Sequence, residues 1–437
     1  ATGRQRGGPA KAAVIASAGM GSISGSAIAN VVTTGAFTIP LMKKLGYRPA
    51  QAGGVEAAAS TGGQIMPPLM GAGAFLMSEF TQLPYVHIVL VSIFPAFLYF
   101  GAVYLLVHIA AVKQGMRGLT AAELPSVRQV MREGWHFIFP LVALIFLLVA
   151  GYSPMRVGFY AIVAVMAAAA ARALWTFSRD APSVEGFVAL CKRGGALTLE
   201  ALELGARNAV AVSVACAVAG VIVGVVGLTG LGLKFSAMML AFSGGNLFLA
   251  LILVILASLI LGMGLPVTAA YIVLIILVGP ALTTEFGVPL LIAHLVVFWY
   301  SQDSNVTPPV ALAGFAGAAI AGSKPMETSF QAWKYAKGLY LIPLFMVYND
   351  EIILGGPLHM VIFAGILALA GIVAFAAVLE GFLFTSMALW HRAALIPAIV
   401  AVFWSSAMVE ALGLVAILVL LGLNWWQAKQ HPYQAKT

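Results

Sequence analysis

The sequence has 437 residues, of which 62% are hydrophobic and 9% are charged, and its formal net charge is +8. Soluble domains carry about 25% charged residues, so this composition excludes an ordinary soluble protein and predicts an all-α integral membrane protein. The basic residues are dispersed over short loops, which is typical of the cytoplasmic loops of multi-pass membrane proteins and argues against a nucleic-acid partner.

The chain opens on ATGRQRGGPAK, a basic polar run without an initiator methionine or the pattern of a signal peptide. We therefore expect it to continue a longer polypeptide, whose preceding part is missing. Residues 12–42 follow, with no formal charge but with many serines, threonines and glycines. We expect a stretch so rich in small polar residues to fold back within the membrane as a re-entrant helical hairpin.

Several apolar segments farther along are predicted to cross the membrane, for which a helix needs about 20 apolar residues. They are His87–Ala110, Pro140–Ala150 continuing toward Ala171, Ala209–Leu233, Leu247–Leu261, Leu358–Val378 and Leu395–Leu423.

Two regions of the chain follow the same order of features. The first begins GMGSISGSAIANVVTTGAF and ends ASTGGQIMPPLMGAG, and the second begins GMGLPVTAAYIVLIILVGP and ends YSQDSNVTPPVALAG. With one offset of 241 residues, Gly21 falls on Gly262 and the Pro67-Pro68 pair falls on Pro308-Pro309. Repeats whose apolar segments are interrupted at corresponding places indicate the binding site of a secondary transporter. The second region is expected to form its own hairpin at LGMGLPVT.

The polar run before the second Pro-Pro pair has the chemistry of a cation site. Pro308 and Pro309 have no N–H group, and a proline forces Thr307 out of the helical region. The preceding carbonyls, near Ser304 and Asn305, should therefore lose their partners and become free to bind a hard cation such as sodium.

Asp303 is the only formally charged residue between Glu285 and Lys324. An unpaired charge in the membrane costs about 2.5–3.5 kcal/mol on insertion scales, so a functional carboxylate is the favoured interpretation. The alternative is a carboxylate held by backbone amides or exposed at a loop tip. The first polar run offers Thr61, Gly62 and Gly63 but no acid, which predicts a second cation site built from neutral oxygens.

Other polar residues have simpler interpretations. Serine and threonine in membrane helices often bond to their own backbone or mediate packing. Glu56 and Glu79 are interpreted as interfacial charges, and Glu203 and Arg207 as a local pair one helical turn apart. His294 is either packed or shares a proton.

Three stretches carry a resemblance to a known family: GSISGSAIANVVTTGAFTIPLMKKLGY, GGVEAAASTGGQIMPPLMGAGAF and YSQDSNVTPPVALAGFAGAAIAGSKPMETSFQAWKYA. They resemble the large membrane subunit of tripartite ATP-independent periplasmic (TRAP) transporters, most closely the fused-permease branch. The resemblance covers Ala1 to Phe345. The tail beyond Gly355 is similar to the extra membrane region of some fused members.

The resemblance implies an inverted-repeat secondary transporter of the elevator type, with two re-entrant hairpins and broken helices, in the bacterial inner membrane. It implies coupling to sodium, small organic anions such as dicarboxylates as substrates, and delivery by a periplasmic solute-binding protein. A small membrane subunit, or the missing N-terminal membrane part, would complete the permease.

The resemblance also implies the site residues, at the positions that match the family's polar hairpin residues. The residues expected to bind the cation are Ser24, Asn30, Thr61, Gly62, Ser301, Asp303, Ser304, Asn305 and Thr307. The residues expected to bind substrate are Ser26, Gly63, Gly264, Pro266 and Thr268.

The chain is expected to divide into four parts. Residues 1–110 form a first repeat unit, 111–205 scaffold or connecting helices, 206–345 a second repeat unit, and 346–437 extra C-terminal membrane helices.

Two other classes of function compete with transport. An ion channel with re-entrant filter loops is the alternative, but two dissimilar polar breaks favour alternating access over a symmetric pore. An intramembrane hydrolase using a serine of GSISGS lacks a nearby base, so no enzyme activity is expected. The sequence has no G-x-x-x-x-G-K-[ST] phosphate loop, and no cofactor other than the coupling sodium ion is expected.

Overall fold

The computed structural model describes residues 3, 5–118, 127–179, 184–404 and 406–430. Those residues form α-helices and short 3₁₀ or π turns, and the only β feature among them is an isolated bridge between Phe382 and Ser386. The predicted all-α class is confirmed, as expected for a backbone that must satisfy its own hydrogen bonds in lipid.

In chain order the helices are α1 (Gly8–Ser24), α2 (Ala27–Lys44), α3 (Pro49–Gly62), α4 (Ala72–Thr81), α5 (Tyr85–Lys113), α6 (Val127–Val149), α7 (Pro154–Arg179), α8 (Val184–Thr229), α9 (Leu231–Ser243), α10 (Leu247–Gly262), α11 (Val267–Pro280), α12 (Leu290–Ser301), α13 (Leu312–Ala321), α14 (Pro325–Tyr335), α15 (Gly338–Tyr348), α16 (Leu358–Glu380), α17 (Leu389–Ala401) and α18 (Ala407–Gln430).

Six helical spans in the described residues are long and apolar enough to cross a membrane: Tyr85–Lys113, Pro154–Arg179, Val184–Thr229, Val267–Glu285, Leu358–Glu380 and Ala407–Gln430. The chain is therefore a multi-pass membrane protein, as predicted.

Four predicted spans differ in the structure, and one of them, Ala209–Leu233, runs past the end of α8 at Thr229 into α9. The segment from Pro140 toward Ala171 is divided between α6 and α7, because the chain turns at Gly151, whose φ is 80°. Leu395–Leu423 is likewise divided between α17 and α18. The Leu247–Leu261 segment forms α10, whose 16 residues rise about 24 Å, less than the roughly 30 Å of a bilayer core.

The chain separates into two compact units. One comprises Ala1–Leu83, His87–Ala121 and Ala219–Thr437, and the other Pro84–Val86 with Ala122–Val218. In the second unit α6 packs against α7. All the predicted site residues lie in the first unit. The four-part functional division made from the sequence stays a prediction.

Helix α3 forms the centre of the first unit. Its sequence, PAQAGGVEAAASTG, is built almost entirely of small residues, and α1, α2, α13 and α14 pack around it. A Cβ atom on Gly53 would lie 2.8 Å from the Gly317 carbonyl oxygen, and one on Gly54 would lie 2.5 Å from Gln331 Cβ. Small residues allow these helix backbones to approach closely, so the burial of α3 follows from its composition.

The helices reproduce the repeat predicted from the sequence. Helices α1–α4 form the first repeat and helices α10–α13 form the second. The helices and turns follow one another in the same order in both repeats. Helix α3 begins at Pro49 and α12 at Leu290, an offset of 241 positions. In the turns before them, Gly46 and Gly287 both have positive φ, 94° and 66°, which only glycine adopts readily.

The two repeats exchange their last helices. Helix α4 packs against α11 and α12 of the second repeat, and α13 packs against α2 and α3 of the first. Gly73 of α4 illustrates the fit, because a Cβ atom there would lie 2.6 Å from the ring of Phe298. The repeats therefore form one interlocked body.

Helices α16, α17 and α18 pack on one another, and α16 also contacts α15. The carboxylate of Glu380, at the end of α16, pairs with Lys334 Nζ at 2.5 Å and Lys113 Nζ at 3.9 Å. Lys113 Nζ also donates to the Glu380 carbonyl oxygen at 2.7 Å. The C-terminal helices are thus tied to α5 and α14.

Candidate cation and substrate site

Both polar runs interrupt a helix, as predicted from the Pro-Pro pairs. Helix α3 passes into a 3₁₀ turn at Gly63–Ile65, and the chain is not helical again until α4 begins. Helix α12 passes into a 3₁₀ turn at Gln302–Asn305, and the next helix is α13. The prolines remove the N–H groups that would continue each helix. Both breaks are confirmed.

The two breaks meet each other directly. Asn305 Nδ2 donates to Gln64 Oε1 at 2.9 Å. Gln64 Nε2 in turn donates to the carbonyl oxygen of Gly25, the residue after α1, at 3.1 Å. The amide side chain of Gln64 therefore joins the tip of the α1–α2 hairpin to the break in the second repeat.

Asp303 lies in this region with 1% of its surface exposed. Its Oδ1 accepts hydrogen bonds from the hydroxyls of Thr307 and Tyr340. Trp333 Nε1 donates to Tyr340 Oη at 2.9 Å, which fixes the phenol. Oδ2 of Asp303 is buried and has no hydrogen-bond partner among the described residues. The carboxylate is oriented through one oxygen, and the other is free to bind a ligand.

No ion pair of the described residues includes Asp303. Lys337 occupies the N-cap position of α15, one turn before Tyr340. Its Nζ lies 3.0 Å from the centroid of the Trp333 ring. This cation is therefore placed on an aromatic face, which attracts it electrostatically.

Backbone oxygens beside Asp303 are also free, as the sequence predicted. The carbonyl of Asp303 accepts the N–H groups of Val306 and Thr307 at 3.0 and 2.9 Å. Within the described residues the carbonyls of Ser304 and Asn305 accept no backbone hydrogen bond. Three consecutive residues thus contribute a carboxylate oxygen and two carbonyls that have no backbone partner among the described residues.

A second polar group without a charge lies in the first repeat around Asn30. Asn30 is fully buried, and its Nδ2 donates to the Ser17 carbonyl oxygen at 2.9 Å. Its Oδ1 has no hydrogen-bond partner among the described residues. A Cβ atom on Gly21 would lie 2.4 Å from Gly63 Cα and 2.8 Å from Asn30 Nδ2. Two glycines therefore let the hairpin and the break close around this amide.

The second repeat makes the equivalent contact between its hairpin and its break. Gly262 and Ser304 are the counterparts of Gly21 and Gly63, and a Cβ atom on Gly262 would lie 3.2 Å from Ser304 Cβ. The hairpin of each repeat thus packs on the interrupted helix of the same repeat.

Three of the predicted hydroxyl ligands bond to their own helix, the simpler interpretation given above. Thr61 donates to the Ala57 carbonyl at 2.8 Å, Ser301 to Phe298 at 2.7 Å and Ser304 to Ser301 at 3.1 Å. The proton of each hydroxyl is used in the bond to the helix backbone, and the oxygen lone pairs remain available.

The hairpin tips are less enclosed. Ser26 caps α2 by accepting the Ala29 N–H at 3.3 Å, and Ser24 Oγ lies 3.5 Å from the Ser26 carbonyl. In the second hairpin, Gly264 and Pro266 are exposed and Thr268 is half-buried. Their assignment to the substrate stays a prediction.

Tyr340 was missed by the sequence reasoning, although the 241-residue offset places it on Tyr99. Tyr99 donates to the Ala58 carbonyl oxygen at 2.8 Å. A Cβ atom on Gly62, the counterpart of Asp303, would lie 2.2 Å from the Tyr99 ring. In the first repeat the tyrosine ring therefore occupies the space that the aspartate uses in the second.

The interpretation of Glu56 as an interfacial charge is wrong. Glu56 is fully buried on α3 and contacts the hydroxyls of Ser17, Thr34, Thr38 and Ser60. The error arises because three of these hydroxyls come from α1 and α2, which the spacing around Glu56 does not show.

The remaining candidates have local explanations. His294 Nδ1 lies 2.7 Å from Tyr271 Oη, and its ring packs near Phe80 in an aromatic cluster. Arg207 Nη2 pairs with Glu203 Oε1 at 2.8 Å on an exposed face, as predicted.

Comparison with known protein families identifies the family of the chain. No curated protein sequence matches the chain. The family described as "Tripartite ATP-independent periplasmic transporter, DctM component" matches residues 1–352. This match includes both repeats, Asp303 and Tyr340. The chain therefore belongs to the DctM component family of TRAP transporters, a family of membrane transporter components and not of enzymes.

Proposed function

We propose that the chain is the membrane permease component of a sodium-coupled secondary transporter in the bacterial inner membrane. It imports small organic anions, carboxylates such as dicarboxylates, that a periplasmic solute-binding protein delivers. The observation that carries the sodium coupling is Asp303, whose buried Oδ2 has no hydrogen-bond partner among the described residues.

A cation is the ligand that this carboxylate fits. Burial of an unpaired charge is costly in the membrane, and the hydroxyls of Thr307 and Tyr340 satisfy only Oδ1. Free carbonyls at Ser304 and Asn305 supply the neutral oxygens that hard cations prefer. Among the described residues, no three His, Cys, Asp or Glu side chains lie together so that they could hold a metal ion. A site with one carboxylate suits a monovalent ion better than a divalent one.

The first repeat supports a second cation site without a charge. Asn30 Oδ1 is buried and unpartnered, and Gly21 and Gly63 bring the hairpin and the break against it. The remaining predicted ligands, Ser24, Thr61, Gly62 and Ser301, belong to the same hairpin and the same two breaks.

The helix lengths support two re-entrant hairpins and an elevator mechanism. Helices α1 and α10 have 17 and 16 residues, so they rise only about 24–26 Å against a hydrocarbon core of roughly 30 Å. Inverted repeats with broken helices at the bilayer midplane are the usual architecture of such transporters. The interlocked repeats would then move as one transport domain.

The N-terminal ends of two helices, at the tips of the hairpins, support substrate binding there. Helix α2 begins after Ser26 and α11 begins after Pro266. Free N–H groups at such N-termini attract carboxylates. Ser26, Gly264, Pro266 and Thr268 are therefore proposed to face the substrate, together with Gly63 of the break against which the first hairpin packs.

The family implies two partners, a periplasmic binding protein and a small membrane subunit. A channel is disfavoured, because Gly62 stands where the second repeat has Asp303 and the chain thus offers no ring of equivalent carboxylates.

Uptake into proteoliposomes tests the proposal. The chain is reconstituted with its small subunit and binding protein, and a panel of radiolabelled dicarboxylates is offered without ATP. Uptake should require external sodium and the binding protein. Equal uptake in potassium or choline would overturn sodium coupling, and currents independent of solute would identify a channel.

A further inference from the structure

Glu56 lies in a closed cage of hydroxyl groups on the first repeat. Its Oε1 is 2.6 Å from Ser17 Oγ, 3.2 Å from Ser60 Oγ and in short contact with Thr34 Oγ1. Its Oε2 is 2.5 Å from Thr38 Oγ1. We call these five residues the Glu56 cage. Unlike Asp303, Glu56 has a hydrogen-bond partner for each carboxyl oxygen.

No basic group in the described part of the chain pairs with Glu56. The titratable groups on the elements packed against α3 either bond to other residues or are exposed. Lys11 bonds to Gln5, Lys43 to the Ala321 carbonyl, Lys334 to Glu380, Tyr335 to Gln51, and Asp303 to Thr307 and Tyr340. Lys44 and Glu327 are exposed. A fully buried carboxylate without a counter-charge is costly, which favours its neutral form.

The protons of the cage can be counted. Glu56 makes four oxygen contacts with hydroxyls, Thr34 Oγ1 makes a fifth, at 2.7 Å, with the Asn30 carbonyl oxygen, and a sixth joins Ser17 Oγ to Thr34 Oγ1 at 3.1 Å. The four hydroxyls carry one proton each. A carbonyl cannot donate, so Thr34 gives its proton to Asn30. The Thr34 proton is then not available to Glu56, and a carboxylic acid O–H is a donor that fits the short contact between Thr34 and Glu56.

The distances among these oxygens are those of hydrogen bonds and not those of ligands around a metal ion. Hard cations bind oxygen at about 2.3–2.6 Å, so two ligands at right angles lie about 3.3 Å apart or more. The hydroxyls of Ser17 and Thr38 lie only 2.6 and 2.5 Å from the carboxyl oxygens, the spacing of strong hydrogen bonds.

The second repeat has no such cage. The counterparts of Glu56, Thr34 and Thr38, 241 positions later, are Val297, Ile275 and Gly279. Each repeat thus buries one acid at a position where the other has none, Glu56 in the first and Asp303 in the second.

We propose that Glu56 is a proton-binding site of the transport domain. Ser17, Thr34 and Thr38 lie on the α1–α2 hairpin, whereas Glu56 and Ser60 lie on α3. The proton is held while the hairpin rests on α3. Separation of the two removes three hydroxyls, exposes the carboxyl and releases the proton. This site goes beyond sodium coupling and does not depend on it.

Infrared spectroscopy of the purified full chain in lipid nanodiscs tests the proposal without a transported solute. At pH 7 the spectrum should contain a protonated carboxyl C=O band that disappears in Glu56→Gln. The band should remain in Asp303→Asn and in Glu79→Gln, whose carboxyl is exposed. A wild-type spectrum without the band, or a band unchanged in a folded Glu56→Gln variant, would overturn the proposal.

A second variant covers the case in which Glu56→Gln does not fold. Thr38→Val removes the only hydroxyl on Oε2, so the band should shift to higher frequency as its hydrogen bonding weakens. A band at the wild-type frequency in Thr38→Val would assign the proton to another residue and contradict the proposal. Both results stand whether or not sodium binds at Asp303.

Discussion

Asn305 Nδ2 donates to Gln64 Oε1 at 2.9 Å, and the two residues are 241 positions apart, the offset that superimposes the two repeats. Two equivalent residues contact each other only beside the axis that relates their copies, as in an isologous interface. A two-fold axis between the repeats predicts this contact. The two helix breaks therefore lie on either side of that axis.

The Gln64–Asn305 contact should couple the stability of the two breaks. Truncating either amide leaves the other buried without its partner, so Gln64→Ala and Asn305→Ala should each cost about 1–3 kcal/mol in the free energy of unfolding. The double variant should cost less than the sum of the two, because both remove one interaction.

Chemical denaturation in detergent, followed by circular dichroism, measures these values. Gln114→Ala is the control, since Gln114 is exposed, and it should stay within about 0.5 kcal/mol of the wild type. Strict additivity in the double variant would show that the two amides do not interact.

Gly21 and Gly19, both on α1, form a matched pair for the packing of the first hairpin. Gly21→Ala should destabilise the protein and weaken cation binding, because its Cβ atom would lie 2.4 Å from Gly63 Cα. Gly19→Ala has nothing within 4 Å of its Cβ and should gain up to about 1 kcal/mol from helix propensity. Thermal unfolding monitors both. Equal melting temperatures would refute the close approach of hairpin and break.

Much of this architecture could be predicted from the sequence, because its signals are local. The Pro-Pro pairs indicated both breaks, the offset indicated the repeat, and the isolation of Asp303 indicated a buried acid. Tyr340 and the Glu56 cage could not be predicted in this way, since their contacts join residues distant in the chain. The sequence predicts a continuous segment from Pro140 toward Ala171, because composition does not reveal the turn at Gly151.

Tyr340 should affect the affinity for sodium, and Tyr99 should not. Tyr340→Phe removes a hydrogen bond to the charged Asp303 carboxylate, and such bonds contribute about 1.5–3 kcal/mol. Apparent sodium affinity should therefore fall about tenfold or more. Tyr99→Phe removes only a bond to the Ala58 carbonyl.

Sodium titrations of thermal stability compare the two tyrosine variants. The Tyr99→Phe protein should lose about 1 kcal/mol of stability and keep the wild-type sodium midpoint. An equal sodium midpoint in Tyr340→Phe would show that the phenol does not support the cation site.

Glu380 should anchor the C-terminal helices. Its side chain is 3% exposed, and the side chains of its partners Lys334 and Lys113 are 35% and 45% exposed. Glu380→Ala should therefore cost about 1–3 kcal/mol, less than a fully buried pair because the lysines reach solvent. Glu203→Ala breaks the exposed pair with Arg207 and should cost about 0.5 kcal/mol or less.

Limited proteolysis and denaturation measure the effect of Glu380. The variant should be cleaved faster between α15 and α18 than the wild type. Equal cleavage and stability in the Glu380 and Glu203 variants would show that the α16 contact contributes nothing.

Equilibrium binding of radioactive sodium to the purified chain tests the central claim most directly. The wild type and Glu79→Gln, which removes an exposed carboxylate, should bind sodium saturably and alike. Asp303→Asn keeps the size of the side chain but removes its charge, and sodium affinity should fall at least about tenfold, equivalent to 1.4 kcal/mol. Sodium binding by Asp303→Asn with the affinity of the wild type would contradict the account.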